Sequence, residues 1–300
     1  MEVFFQHLIN GLRVGSVYAL IALGYTMVYG IIRLINFAHG DFIMVGGYTL
    51  FFTVPLMTSI GMPPWLAVLI AVAVCAIVGV LVEKLAYSPV RKKGTKMSTL
   101  ITAIAMSLFL ENLAQVLFGA SPKQVKTIFS LPNLGNISGN TLLTIALGLA
   151  VMIALQVFVK QTKMGKSMRA VSEDKQAAIL MGVNVNRTIT ITFAIGSGLA
   201  AVAALMYVAQ YSQVTTTMGS MLGLKAFVAA VLGGIGIIPG AMIGGMVIGM
   251  VESLAKAYMG ALTGGIITSA FSDAIVFIIL IIVLLVKPAG ILGKNVGEKV

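Results

Sequence analysis

The chain predicts an all-α fold, a polytopic transmembrane helical bundle of about eight spans with discontinuous, glycine-rich helices among them. Three observations predict it. Apolar runs near or above about 18 residues keep recurring, and that length crosses a bilayer as a helix. Hydrophobic residues make up 59% of the 300 and charged residues only 10%, with a mean hydropathy of +1.04, far above ordinary soluble domains. The runs are also continuous, whereas the strands of a transmembrane barrel would alternate polar and apolar residues.

The expected spans run, in order, from Leu8 to Ile32, Phe42 to Ile60, Trp65 to Val82, Met97 to Phe118, Thr141 to Val159, Thr188 to Tyr211, Ala226 to Val251 and Ile266 to Val286. No basic leader and no small-residue cleavage signature accompany the first, so it is expected to stay in the mature protein. Between the first and second lies Asn36-Phe37-Ala38-His39-Gly40-Asp41, followed by Gly46 and Gly47. A break buried at membrane depth would allow a cytoplasmic N-terminus, whereas a true loop would put Met1 outside. Met97 to Phe118 leads out and Thr141 to Val159 leads back, around an exposed loop, Gly119 to Asn140, that carries Lys123 and Lys126. Ala226 to Val251 contains Gly233, Gly234, Gly236, Pro239, Gly240, Gly244, Gly245 and Gly249, a density that predicts a break near Gly233 to Gly240. Gly11-Leu12-Arg13 and Gly223-Leu224-Lys225 echo each other, three residues being too few to establish a duplication.

The net charge of +11 belongs to topology and not to nucleic acid, because Lys and Arg concentrate between spans. Lys84 to Lys96, Lys160 to Arg187 and the tail with Lys287, Lys294 and Lys299 are expected in the cytoplasm, the C-terminus included. Cys75 is the one cysteine, which excludes an intrachain disulfide and marks a small buried hydrophobe. Enzymatic chemistry finds little support. His7 and His39 are the only histidines, the nine acids are scattered, and neither a metal cluster nor a catalytic triad can be assembled from them. No phosphate-binding G-x-x-x-x-G-K-[ST] loop occurs either, so any ATP would be bound by another subunit.

Two groups of residues carry functional content. His39 and Asp41, with Asn36, put costly polar groups in a predicted break, which suits a pathway or proton relay as well as a plain cap. Gly233, Gly234 and Gly236 beside Pro239 free backbone that must face protein or a water-filled cavity, while Gly244, Gly245 and Gly249 suit close helix packing. Glu111, Glu252 and Asp273 lie near expected helix ends and read as snorkelling to the interface. The loop from Lys160 to Arg187 is the second group. Ser172 is expected to cap a short helix, with Glu173 and Asp174 in its first turn and Gly182 as its stop. Ala177, Ala178, Leu180 and Met181 would form a small apolar surface, better suited to a groove on a partner than to lipid.

That loop resembles the cytoplasmic coupling loop of ABC importer permeases. Asn36 to Asp41, Met164-Gly165 with Arg169, Gly182-Val-Asn-Val-Asn-Arg187, the Lys225 to Gly236 run and Lys287-Pro-Ala-Gly-Ile-Leu-Gly293 are similar, in order, to the branched-chain amino acid permeases of the LivH type. The general importer pattern places two alanines directly after the glutamate, whereas here Asp174-Lys175-Gln176 intervene. The resemblance implies one permease domain over residues 1–300 with its coupling loop at 160–187, in a bacterial inner membrane and surrounded by lipid. It implies a paralogous permease as partner, two ABC ATPase subunits that bind the ATP, and a periplasmic amino-acid-binding protein delivering leucine, isoleucine or valine. Arg169, Glu173, Asp174, Ala177, Ala178 and Gly182 then become the ATPase contacts, and Asn36, His39, Asp41, Gly233, Gly234 and Gly236 the pathway, with no cofactor in this chain. Close relatives carry urea or short amides, and an ion-coupled carrier relaying through His39, Asp41 and Glu111 is the reading from a different class.

Overall fold

The computed structural model describes residues 2–126, 128–129, 131–135, 137–264 and 271–293, without the side chains of 261 and 262. Met1, Lys294, Lys299 and the expected start of the last span at Ile266 lie outside the described residues.

Helix α1 (Glu2–Ile32) is buried almost without interruption from Gly15 to Val28 and forms the axis of the bundle. It stops where Arg33 takes a φ of 57° and its N–H donates to the Tyr29 carbonyl at 2.7 Å. A left-handed position of this kind costs a non-glycine residue on the order of 1–3 kcal/mol. The chain then turns back into the bundle through a 3-10 turn, Phe37–His39, and enters α2 (Asp41–Ser59). Next come α3 (Leu66–Val82), a π turn (Glu83–Tyr87), α4 (Ser88–Lys93) and α5 (Lys96–Phe118). Beyond α5 the two-residue strand β1 (Lys123–Gln124) precedes α6 (Gly139–Gln161).

Two short helices, α7 (Lys163–Glu173) and α8 (Lys175–Leu180), lead into α9 (Val185–Tyr211). Strand β2 (Gln213–Val214) pairs antiparallel with β1, Lys123 opposite Val214. Then follow α10 (Met218–Gly233), α11 (Ile238–Leu262) and α12 (Ser272–Val286).

Among the described residues seven helical stretches are long and apolar enough to cross a membrane, and α10 and α12 are shorter apolar helices. The expected span Ala226 to Val251 is thus two helices, broken over residues 234–237 and inside the stretch its glycines and proline marked.

The ends of the bundle differ in charge. Arg33 Nη2 donates to the Ser172 carbonyl at 3.0 Å, Gly236 and Arg169 line one cavity, and Gly234 packs on Ala289 and Gly293. The end of α1, the basic loop, the α10–α11 turn and residues 287–293 therefore gather at one basic end. The start of α1 lies at the opposite end, where His7 stacks edge-on against Tyr258 and its carbonyl accepts from Ser253 Oγ. The break at 36–41 is buried, yet it follows a complete crossing by α1, so burial does not bring the N-terminus to the basic end.

Helices α1 and α11 meet backbone to backbone. A Cβ on Gly249 would run into the N and Cα of Gly15, one on Gly245 into the backbone of Ala19, and one on Gly11 would sit 2.8 Å from Met250 Cα. Such close approach is how helices associate where lipid removes the hydrophobic incentive. At Gly198 on α9 a Cβ would make an ordinary 3.5 Å contact with Val72. Gly249→Val is expected to lower stability by about 1–3 kcal/mol or more, read as thermal unfolding in detergent, while Gly198→Ala stays within about 1 kcal/mol of the parent.

Candidate functional site

The segment between α6 and α9 is built from caps. Thr162 accepts the Gly165 N–H at 3.0 Å and starts α7. Asp174, in an extended conformation, ends α7 and starts α8, its Oδ1 accepting from Gln176 N at 2.7 Å and Ala177 N at 3.1 Å. Ser172 is therefore not the cap the sequence suggested. It lies in the last turn of α7, where its hydroxyl donates to the Arg169 carbonyl, and the carboxylate two residues on takes the capping position. Gly182 does stop α8. Its φ is 80°, its N–H reaches the Ile179 carbonyl, and the Val183 N–H reaches that of Ala178, the paired bonds of a Schellman ending. Asn184 then caps α9 through Arg187 N.

The apolar surface of α8 also differs from the expectation. Ala178 is buried in the core, whereas Ala177 and Ile179 are exposed and Leu180 and Met181 are 87% and 84% exposed. Packing of α8 against α7 and α9 turns the alanine inward and leaves the larger side chains outside. Glu173 is exposed beside them. The ammonium of Lys175 is held below its usual range by partial burial, and further by Arg91, Arg33 and Lys96 nearby.

Residues from the two sequence groups meet in one place. Arg169, whose Nη2 donates to the Lys160 carbonyl, and Ser172 line a cavity of about 80 Å³ with Gly30 and Thr26 of α1 and Gly236 of the α10–α11 turn. Gly233 and Gly234 do not face this cavity. The first packs on Gly240 and the second on Ala289 and Gly293, so their backbones serve close contact.

His39 and Asp41 lie deep in the bundle, each 1% exposed. The His39 ring packs on the face of α1 where a side chain at Gly24 would collide with it, at 4.7 Å from the Tyr25 ring and 6.0 Å from Phe42. Asp41 faces Ser107 and Glu111 of α5, and Glu111 accepts from Ser220 of α10 at 3.2 Å. His39 Nε2 and Asp41 Oδ2 have no protein partner. Asn36 stands apart, its Oδ1 accepting from Tyr87 Oη at 2.6 Å. The π turn delivers that tyrosine, and wide turns of this type cluster at functional positions.

One polar cluster was missed by the sequence reading. Glu252 is 2% exposed and accepts from Tyr18 Oη at 2.6 Å, Lys225 Nζ at 2.8 Å and Lys256 Nζ at 2.6 Å, while Lys225 also reaches Asp273 at 2.6 Å. Glu252 does not snorkel; it ties α1, α10 and α11 together. The available signal was Lys225, a lone cation inside a helix otherwise free of charge. Among the described residues no three acids, histidines or cysteines approach closely enough to hold a metal ion.

The family described as "Branched-chain amino acid transport system / permease component" matches residues 7–284. The high-affinity branched-chain amino acid transport system permease protein BraD of Pseudomonas aeruginosa is 41% identical over 253 residues, covering 80% of this chain and 82% of the relative. LivH of Escherichia coli K12, with the same description, gives the same figures. A probable branched-chain amino acid transport permease of Methanocaldococcus jannaschii is 30% identical over 233 residues, 75% of this chain and 72% of the relative.

Removing one member of a buried ion pair strands the other in a poor solvent and costs about 3–5 kcal/mol. Glu252→Gln is expected to destabilise by that order, and Lys225→Met with Glu252→Gln by less than the sum of the two singles, in a double-mutant cycle on unfolding in detergent. At α8, Asp174→Ala removes a cap worth about 1 kcal/mol, seen as faster amide exchange at Gln176 and Ala177 with the spans unaffected.

Proposed function

Because the chain belongs to the family of branched-chain amino acid transport permease components, we propose that it is the membrane subunit of an ATP-driven importer for leucine, isoleucine and valine. In this reading it acts with a related permease, two ATPase subunits at the basic, cytoplasmic end, and a binding protein delivering the amino acid from the other side. ATP binding and hydrolysis belong to the ATPases, and this chain converts their closure into alternating access.

The observation that carries the reading is the construction of α8. A six-residue helix is fixed by a carboxylate cap at one end and a Schellman ending at the other, and it presents Leu180 and Met181 with no covering residues. Caps on both sides let so short a helix keep its shape under load, and exposed apolar side chains on a rigid base are what a groove on a partner takes up. Arg169, Glu173, Asp174, Ala177 and Gly182 hold or border this contact, and Ala178 anchors it to the core. Movement of α8 would reach the axis of the bundle through the bond between Arg33 and Ser172 and through the shared lining of Arg169 and Gly236. The 3-10 turn between Asn36 and Asp41, which holds His39, is in this reading the part of the pathway that responds. Gly233, Gly234 and Gly236 keep the neighbouring turn tight enough to follow.

Two experiments test this. A β-branched side chain at the positive φ of Gly182 costs on the order of 1–3 kcal/mol while meeting only open space. Gly182→Val should therefore cut uptake roughly tenfold with assembly and ATP hydrolysis retained; unchanged uptake at normal complex levels rules the coupling role out. In proteoliposomes holding the complex, excess unlabelled leucine should suppress labelled valine uptake and urea should not. Uptake by this chain without any ATPase would instead identify an ion-coupled carrier.

A further inference from the structure

At the end of the bundle opposite the basic one, beside His7, α1, α9 and α11 enclose a cavity of about 240 Å³. A single water needs only about 10–15 Å³, so the space admits a small solute. Its lining carries two cations, Arg13 and Lys256, and one acid, Glu252. That acid is already engaged, since it accepts from Tyr18, Lys225 and Lys256, and Asp273, the other acid of the cluster, is bound to Lys225. Among the described residues Arg13 has no acidic partner. Its Nη1 donates to Thr141 Oγ1 at 2.9 Å and its Nε is buried without a partner, which leaves Nη2 as the free end of the guanidinium at the cavity. Lys256, with 46% of its side chain exposed, spends one N–H on Glu252 and has two more to give. What the cavity lacks is therefore an acceptor that carries negative charge.

The neutral part of the lining adds two further requirements. Asn10 and Gln210 are half-buried in the same wall, and among the described residues neither amide engages a hydrogen bond, so their carbonyl oxygens are open to a donor. Val14, Ala257 and the ring of Tyr211 supply apolar surface, the tyrosine standing close to Arg13. A carboxylate, a cationic donor and a short apolar group are thus matched within one space. A second cavity of about 230 Å³ shares Asn10 and Arg13 but includes neither Lys256 nor Gln210, so only the first brings both cations and both amides together.

We propose that this cavity receives an aliphatic α-amino acid as its zwitterion, the carboxylate on Arg13 and Lys256, the ammonium on the carbonyls of Asn10 and Gln210, and the side chain against Val14, Ala257 and Tyr211. The proposal rests on the reading of the chain as an importer of such amino acids, under which this end faces the binding protein. Bonds between a guanidinium or ammonium and a carboxylate are among the stronger ones available to a protein, and they suit a first station for a ligand that leaves its carrier charged at both ends. An acidic side chain from a partner subunit would satisfy the two cations, but it would leave the amide oxygens and the apolar patch unused.

Ala257→Cys puts a thiol in the lining, while the native Cys75 is buried and stays unreactive. In the full membrane complex held in nanodiscs, a charged maleimide should label that thiol. Saturating leucine should slow the labelling about tenfold, the factor expected when ligand stands at about ten times its dissociation constant. Leucinol, which has no carboxylate, and 4-methyl-2-oxopentanoate, which has no ammonium, should protect far less. Adding Arg13→Met should raise the leucine needed for protection at least about tenfold, as the loss of one charge-assisted bond does. Thr141→Val releases Nη1 but leaves the guanidinium in place, and should keep the protection. An unreactive thiol, labelling indifferent to leucine, equal protection by either analogue, or protection unchanged by Arg13→Met overturns the proposal. Equal loss in Thr141→Val overturns it too, since Arg13 would then be a tie between α1 and α6. Leucine uptake by the same complex with its binding protein separates the two readings: uptake without protection removes the site and keeps the importer, whereas absence of uptake removes the importer and leaves the labelling to decide the site.

Discussion

The close backbone contact between α1 and α11 sets the geometry on which the rest of the molecule depends. In lipid, apolar side chains gain little by leaving their surroundings, so helices are held by packing and by polar bonds. Gly11, Gly15, Gly245 and Gly249 let two long helices touch at the main chain, and the contact continues to the basic end, where Gly236 faces Gly30. This registration places the α10–α11 turn beside α7 and sets Arg33 within reach of Ser172. It also carries Glu252 to Tyr18, so a charged group far from the basic end is positioned by residues without side chains.

Charge inside this bundle is handled in two ways. Around Glu252 every group is bonded, three donors converging on one carboxylate. Such a cluster adds less net stability than its short distances suggest, because taking the ions out of water offsets much of their attraction. Its bonds join α1, α10, α11 and α12 at one point. Around His39 and Asp41 the opposite holds. Buried polar atoms there lack protein partners, and the backbone is a single 3-10 turn. The two regions therefore differ in how fully their buried polar groups are paired.

Length and hydropathy made the spans legible, and glycine density located the α10–α11 break, because those signals are local. Gly182 was legible for the same reason, since a positive φ there favours that residue. The cap of α8 was misplaced by two residues because Ser172 and Asp174 are both good caps, and choosing between them takes knowledge of where α7 ends. Lys225 was passed over and Glu252 misread because their meaning is a pairing between helices, which no single segment displays. Nor could spacing alone turn Ala178 inward, or send Asn36 to Tyr87 and away from His39. Those assignments follow from how α3, α8 and α9 pack.

The two-residue pairing of β1 with β2 is a minor feature of the finished fold and a major one for how the fold is reached. α5 presents many of its apolar side chains outward, among them Ile101, Phe109 and Val116, and beyond its end Lys123 is paired opposite Val214. Val214 is synthesised only after α6, α7, α8 and α9. Throughout that interval the extended segment after α5 lacks this strand partner, and the helix is held in the bilayer by its own apolar surface. The strand pair thus ties the segment after α5 to one made four helices later, adding a short backbone link to the packing of α9 on α1, α2 and α3.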